Sequence, residues 1–255
     1  MSTLLLRLAA PMQSWGSGSK FDRRLTENEP TKSGIIGLLS CAMGIRREDS
    51  LAIFDDVRFG VRRDQEGELG IDFQMVHEQK STKNPGSWVT YRYYLFDAAF
   101  LAGIEGERGL LEKMEQAVLS PAFPIYLGRR SCPPVGPVSL GIRELSLEAS
   151  LREEPWIASD WYKKRMEAKL KYGAKPMSLE IIRDAAVTEP PAYSVRDMPV
   201  TFNPERRLYR FRNVVREQVS LAKVWPNLCE TLTSDKATEH DPMALLEEND
   251  VSIKD

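Results

Sequence analysis

The chain has 255 residues, 42% of them hydrophobic and 28% charged, which excludes collagen-like, coiled-coil and largely disordered classes. Its 35 Lys and Arg nearly balance 37 Asp and Glu, so the total charge does not announce a nucleic-acid binder. No apolar run approaches the ~20 residues that span a bilayer, and Cys41, Cys132 and Cys229 are odd in number and far apart, so the expectation is a cytoplasmic protein without membrane contact or a disulfide framework.

LLLRLAA (4–10) reads as a buried first strand, ended by Pro11. A loop with Gly16, Gly18 and Pro30 follows. PTKSGIIGLLSCAMGI then predicts a helix capped by Thr31 or Ser33 and stopped at Gly44. Gly34 and Gly37 share one face of it and would let it approach a sheet closely. EDSLAIFDDV predicts a second helix. VRFGVRRD alternates as a strand, with Val57, Phe59 and Val61 on one side and Arg58 and Arg62 toward the other. EGELG (66–70) reads as a turn. Residues 71–103 hold two extended segments, IDFQMVHEQK and SWVTYRYYLFDAAFLAG, joined by STKNPG into a long hairpin. ERGLLEKMEQAVL is an amphipathic helix with Leu110, Leu111, Met114, Ala117 and Val118 on one stripe.

VSLGIREL predicts a strand. WIASDWYKKRMEAKLKYG predicts a helix. SLEIIRD and RLYRFRNVVREQVSL read as extended. The expected fold class is α+β. Its ferredoxin-like, RNA-recognition-motif-like antiparallel sheet has helices on one face and a long protruding hairpin. The expected organisation is a domain over 1–150 with the hairpin at about 71–94, a less regular extension over 151–224, and an acidic tail over 225–255. Charge is segregated. Six Lys and Arg lie between Lys163 and Lys175 against Glu167, and eight acids follow Cys229 against Lys236 and Lys254.

His77 and His240 are the only histidines, and no C-x-x-C or H-E-x-x-H pair occurs, so no metal or cofactor is expected. Asp55-Asp56 reads as a solvated helix face. Three features stand out. The helix start Pro30-Thr31-Lys32-Ser33-Gly34 offers amides, a lysine and hydroxyls to a phosphate. The hairpin interleaves Lys80, Lys83, Trp88, Tyr91 and Arg92, a pattern suited to stacking on unpaired bases. Tyr126-Leu127-Gly128-Arg129-Arg130-Ser131-Cys132-Pro133-Pro134 sets adjacent arginines in a Gly/Pro-framed turn, suited to gripping phosphates.

Four ordered blocks, LLLRLAAPMQSWG, PTKSGIIGLLSCAMGI, RYYLFDAAFLAG and YLGRRSCPP, resemble the CasD family across roughly residues 3–145. The resemblance implies a non-catalytic subunit of the type I-E CRISPR surveillance complex (Cascade), used in antiviral defence. Such a subunit caps the 5′ handle of the crRNA and carries a thumb hairpin. The implied partners are crRNA, the backbone subunit CasC, the large subunit CasA and, through the complex, target DNA. By motif, the RNA-facing residues would be Gln13, Trp15, Gly16, Lys32, Ser33, Tyr126, Arg129 and Arg130, with thumb contacts from Lys80, Lys83, Trp88, Tyr91 and Arg92. The alternative is a metal-independent endoribonuclease that processes precursor crRNA, as a relative in another subtype does. A generic RNA-binding domain is a third reading, opposed by the aggregation hazard of a long exposed ribbon.

Overall fold

Leu4, Leu6 and Leu8 alternate with Leu5 along the first strand, β1 (Ser2–Ala9), and all four are fully buried. A strand apolar on both faces needs a layer on each side. The computed structural model describes residues 1–16, 22–77, 86–172 and 177–226. In it the chain continues through β2 (Met12–Gln13), β3 (Arg23–Arg24), α1 (Lys32–Ala42), β4 (Arg58–Gln65), β5 (Glu68–His77) and β6 (Ser87–Phe96). Then come β7 (Ala99–Gly106), α2 (Arg108–Leu119), β8 (Ser139–Arg143), α3 (Leu147–Glu153) and α4 (Asp160–Lys171). The last elements are β9 (Ser178–Asp184), β10 (Tyr193–Thr201), β11 (Leu208–Ser220) and α5 (Leu221–Val224).

Seven strands form one antiparallel sheet in the order β10-β11-β9-β4-β7-β1-β8. The class is α+β, as expected. Helices cover both faces of this sheet, where the sequence suggested one. Leu4, Leu6 and Leu8 pack with α1 and α2, while Leu5 and Leu101 pack with α3, α4 and α5. The strands after residue 150 extend the same sheet, because β9 pairs with β4 through Gly60↔Arg183 and Val61↔Ile182.

A second sheet is built on β6, which pairs with β5, β2 and β3. The run 87–103 is therefore two strands. The chain breaks at Asp97, whose φ is +52°, and passes from the second sheet into β7. The turn expected over 66–70 is shorter, since Glu68 already pairs with Phe96. The hairpin tip, residues 78–85, lies outside the described residues.

Thr31 caps α1, its Oγ1 accepting from the Gly34 amide at 3.1 Å. The helix expected at EDSLAIFDDV is a single 3-10 turn, Ala52–Phe54. Leu51, Phe54 and Val57 are the buried residues there, and a three-residue spacing matches 3.0 residues per turn better than 3.6. Gly34 faces the Trp15 ring, where a Cβ would come within 2.9 Å, and Gly37 faces Phe202, so these glycines admit side chains and not a sheet.

Arg62, drawn from the polar side of β4, is 0% exposed. Its five N–H groups are all used. Nε and Nη2 meet Asp64 at 2.6 and 2.8 Å, and Nη1 and Nη2 reach the carbonyls of Leu151, Glu154 and Pro155. The guanidinium thus closes the C-terminal end of α3, where carbonyls lack helical partners.

Arg183 holds Glu189 through two hydrogen bonds and pulls its carboxyl down to about 2. A depressed carboxyl stabilises the fold above its unfolded pKa, and this contribution disappears as pH falls through the folded value. Acid titration of Glu189→Gln against the parent should show the Tm difference present at pH 6 and gone near pH 2. The acidic tail lies outside the described residues from 227 onward.

Candidate nucleic-acid interface

Gly128 sets the geometry of the arginine turn. Its φ is +85°, and a Cβ there would fall 1.6 Å from the Ser14 carbonyl oxygen. The turn can therefore lie directly on the loop after β1. The Ser14 amide donates to Leu127 at 3.2 Å, Leu127 donates to Cys132 at 2.8 Å, and Cys132 donates to Arg129 at 2.9 Å. Leu127 and Cys132 face inward, fully buried, and leave the residues between them at the surface.

Arg129 stacks its guanidinium over the Tyr94 ring, 4.6 Å from the centroid, and donates Nη2 to the Arg24 carbonyl at 2.7 Å. Its Nη1 is buried and has no hydrogen-bond partner. Burial alone would raise the Tyr94 phenol, but the Ser131 hydroxyl and the Arg129 charge outweigh it and lower the pKa. Arg130 is exposed. β3 lies parallel on β6 with Arg24 beside Arg92, whose Nε is also buried and unpartnered. The result is a cavity of about 380 Å³ with Arg24, Arg47, Arg92, Arg129 and Arg130 in its wall and no carboxylate among its described residues.

A larger cavity of about 780 Å³ adjoins it, sharing Arg47, Tyr126, Gly128 and Arg130. Its wall continues along α1 past Ser33, Gly34 and Gly37, and it is closed by Phe123, Phe202 and Tyr209. Arginine forks beside an apolar wall suit phosphates with attached bases. Guanidinium groups gathered in a cavity with no carboxylate among its described residues repel one another in the free protein and favour a bound anion.

The residues named from sequence divide sharply. Gly16, Ser33, Tyr126 and Arg130 line the larger cavity, and Arg129 and Arg92 line the smaller. Trp15 borders the larger one but is 1% exposed, its ring laid against Gly34 and its Nε1 donating to Gln13 at 3.1 Å. Gln13 is 0% exposed and its amide is spent on the Leu8 and Ala98 carbonyls. Gln13 and Trp15 are thus corrected from RNA contacts to a buried clasp that orders the loop.

Lys32 requires the same correction. It is 4% exposed, and its ammonium meets Asp184 at 2.9 Å and the Val57 carbonyl at 2.7 Å. Its amide donates to Asp197 at 2.8 Å, and Arg212 bridges Asp184 and Asp197. The α1 N-terminus is already occupied by a carboxylate, so the phosphate reading of Lys32 has no room. Lys32→Met should cost about 1–3 kcal/mol, from the donors removed, and leave the salt dependence of RNA binding unchanged. Thermal melts and a salt titration on one preparation check both.

Trp88 and Tyr91 are exposed on β6, and Lys80 and Lys83 lie outside the described residues. Sequence reasoning missed Arg24, Arg47, Tyr209 and Phe202, which come from elements distant along the chain. His77 bonds Ser87 at 2.8 Å on the hairpin and lines neither cavity.

A family model described as CRISPR-associated protein (Cas_Cas5) matches residues 3–215. The Cascade subunit CasD of Escherichia coli (strain K12) is 35% identical over 184 residues, 63% of this chain and 80% of that protein. A solved structure described as a Cas protein superposes with a TM-score of 0.66 at 36% identity, covering 88% of this chain and 97% of its own. A chain from a CRISPR RNA-guided surveillance complex superposes at 0.67 with 26% identity, covering 91% and 99%.

Proposed function

The chain belongs to the CRISPR-associated Cas5 family, and from that premise we propose that it is a crRNA-binding subunit of a Cascade-type surveillance complex whose paired cavities hold the 5′ handle of the guide. The observation that carries the reading is the smaller cavity, whose described lining brings five arginines together with no carboxylate. Arg129 and Arg130 grip phosphates there. Tyr126 and the apolar wall of the larger cavity receive bases.

The role is non-catalytic. Metal-free RNA cleavage needs a general base near the 2′-OH and a cation at the scissile phosphate. Among their described lining residues the two cavities supply cations but no histidine, and their one carboxylate, Glu48, belongs to the larger cavity. The test is Arg129→Ala/Arg130→Ala. If both residues lie on phosphates, the slope of log K against log salt for handle RNA flattens by about 1.4, at ~0.7 per phosphate. An unchanged slope, or specific cutting of repeat RNA by the parent protein, defeats the reading.

The hairpin is the proposed contact to neighbouring subunits, CasC and CasA. Leu69, Ile71, Phe73 and Met75 alternate along β5 and are all more than half exposed, opposite Leu95, Tyr93, Tyr91 and Val89 of β6. One face of the ribbon is thus an apolar stripe, more than a free monomer ordinarily shows. Ile71→Ser/Phe73→Ser should leave Tm within a degree or two, because these side chains are already in water, and should lower recovery of the complex in a pull-down. A monomer that unfolds instead would place the stripe in the core.

A further inference from the structure

Helix α4 lies on the other face of the large sheet from the arginine cavities. It turns Met166 and Leu170 into the cluster containing Leu5 and Leu101, and Tyr162 sets its ring edge against Trp156 at 6.0 Å. At 100° per residue, the opposite arc is centred on Ala168, Trp161 and Tyr172, with Lys164 and Arg165 on either side and Lys169 at its edge beside Tyr162. All of these but Tyr162 are exposed, Trp161 by 50% and Tyr172 by 92%. Asp160 borders that arc one turn before Lys164, and Glu167 lies at its far edge. Among the described residues no ion pair engages Lys164, Arg165 or Lys169.

Three cations between two exposed aromatics, over about 16 Å of helix, match a polyanion that also presents flat apolar faces. A duplex hides its base faces and would leave Trp161 and Tyr172 nothing to stack on. An apolar protein surface would have to desolvate three cations. An unpaired strand satisfies both: lysines and the arginine meet phosphates as they pass, and the ring at each end receives a base. The strand is a second one, because the RNA occupies cavities across the sheet. When an RNA guide pairs with one strand of a duplex, the other strand is left unpaired.

We propose that the exposed face of α4 binds an unpaired DNA strand, separate from the RNA held at the arginine cavities. The choice of DNA rests on the RNA reading of those cavities. The full chain would be titrated with fluorescein-labelled dT20, U20, a 20-base-pair duplex and handle RNA. In Lys164→Ser/Arg165→Ser/Lys169→Ser the salt slope for dT20 should fall by about 2, at ~0.7 per phosphate. Trp161→Ala should weaken dT20 by about fivefold or more, and dT20 should quench the parent's tryptophan fluorescence more than that of Trp161→Phe. Handle RNA should bind these variants as it binds the parent. All substituted side chains are exposed, so melts should coincide.

Arg129→Ala/Arg130→Ala should show the reverse, losing handle RNA and keeping dT20, so failure at one site is separable from failure at the other. Absence of dT20 binding, or dT20 binding indifferent to the α4 variants, overturns the proposal. Tighter binding of the duplex than of dT20 through the same residues overturns the unpaired strand. Tighter binding of U20 than of dT20 at α4 overturns the assignment to DNA.

Discussion

Gly128→Ala should dismantle the arginine turn and with it RNA binding. The new Cβ would fall 1.6 Å from the Ser14 carbonyl oxygen, far inside contact distance, and a φ of +85° is strained for any residue with a Cβ. The obstacle is backbone, so no side-chain rotation relieves it. The turn must lift from the β1 loop, breaking the Ser14–Leu127 hydrogen bond and drawing Leu127 and Cys132 out of the core. Strain and lost contacts together should cost about 3 kcal/mol or more, or roughly 6–12 °C in Tm at this chain length. Affinity for handle RNA should fall further than in Arg129→Ala/Arg130→Ala, because Arg24 and Tyr94 lose their alignment with the turn as well. Equal affinity to the parent below the melting transition would show that the turn does not shape the site. Serine at 128 should behave as alanine does, since the clash belongs to the Cβ.

Asp64→Ala should be the most destabilising substitution, without touching the RNA site. Arg62 and Asp64 are both 0% exposed, and the carboxylate also accepts from the Ile157 amide at 2.9 Å. Removing it leaves a charged guanidinium in the core with two donors unanswered. Breaking a buried pair from one side costs about 3–5 kcal/mol, or about 6–20 °C in Tm. Replacing both partners, as in Arg62→Met/Asp64→Leu, should recover part of this loss, because no buried charge remains. The carbonyls that Arg62 closes at the end of α3 would then lack donors, so recovery should be incomplete. Melts of the single and double variants test the order. A double variant weaker than Asp64→Ala would mean that the α3 carbonyls, and not the lone charge, dominate.

What the sequence determined by itself was local and periodic. β1 was readable as an unbroken apolar run and α1, α2 and β4 by apolar residues recurring on one face, β9 and β11 read as extended, and Thr31 and Gly44 mark the ends of one helix. The arginine turn was readable because arginines framed by glycine and proline are poor core material. Several elements escaped, among them β2, β3 and α5, each too short to show a period. Residues 50–57 follow a period of three that a short window confuses with a helix. α3 has only seven residues, capped by Ser146, and β10 contains Pro199 and has a mixed burial pattern.

Tertiary structure decided which charges are free. In sequence, Lys32 and Arg130 are alike, each a cation beside small residues. Folding brings Asp184, 152 positions away, onto Lys32, while among the described residues no carboxylate lines the smaller arginine cavity. Arg62 and Arg212 look like solvated charge and are interior struts, whereas Arg24 and Arg47 join the site only when β3 pairs with β6 and the loop after α1 meets the turn. A charge is functional or structural according to which opposite charge folding places within about 3 Å of it. That distance depends on pairings between strands and helices far apart along the chain, which local composition does not encode.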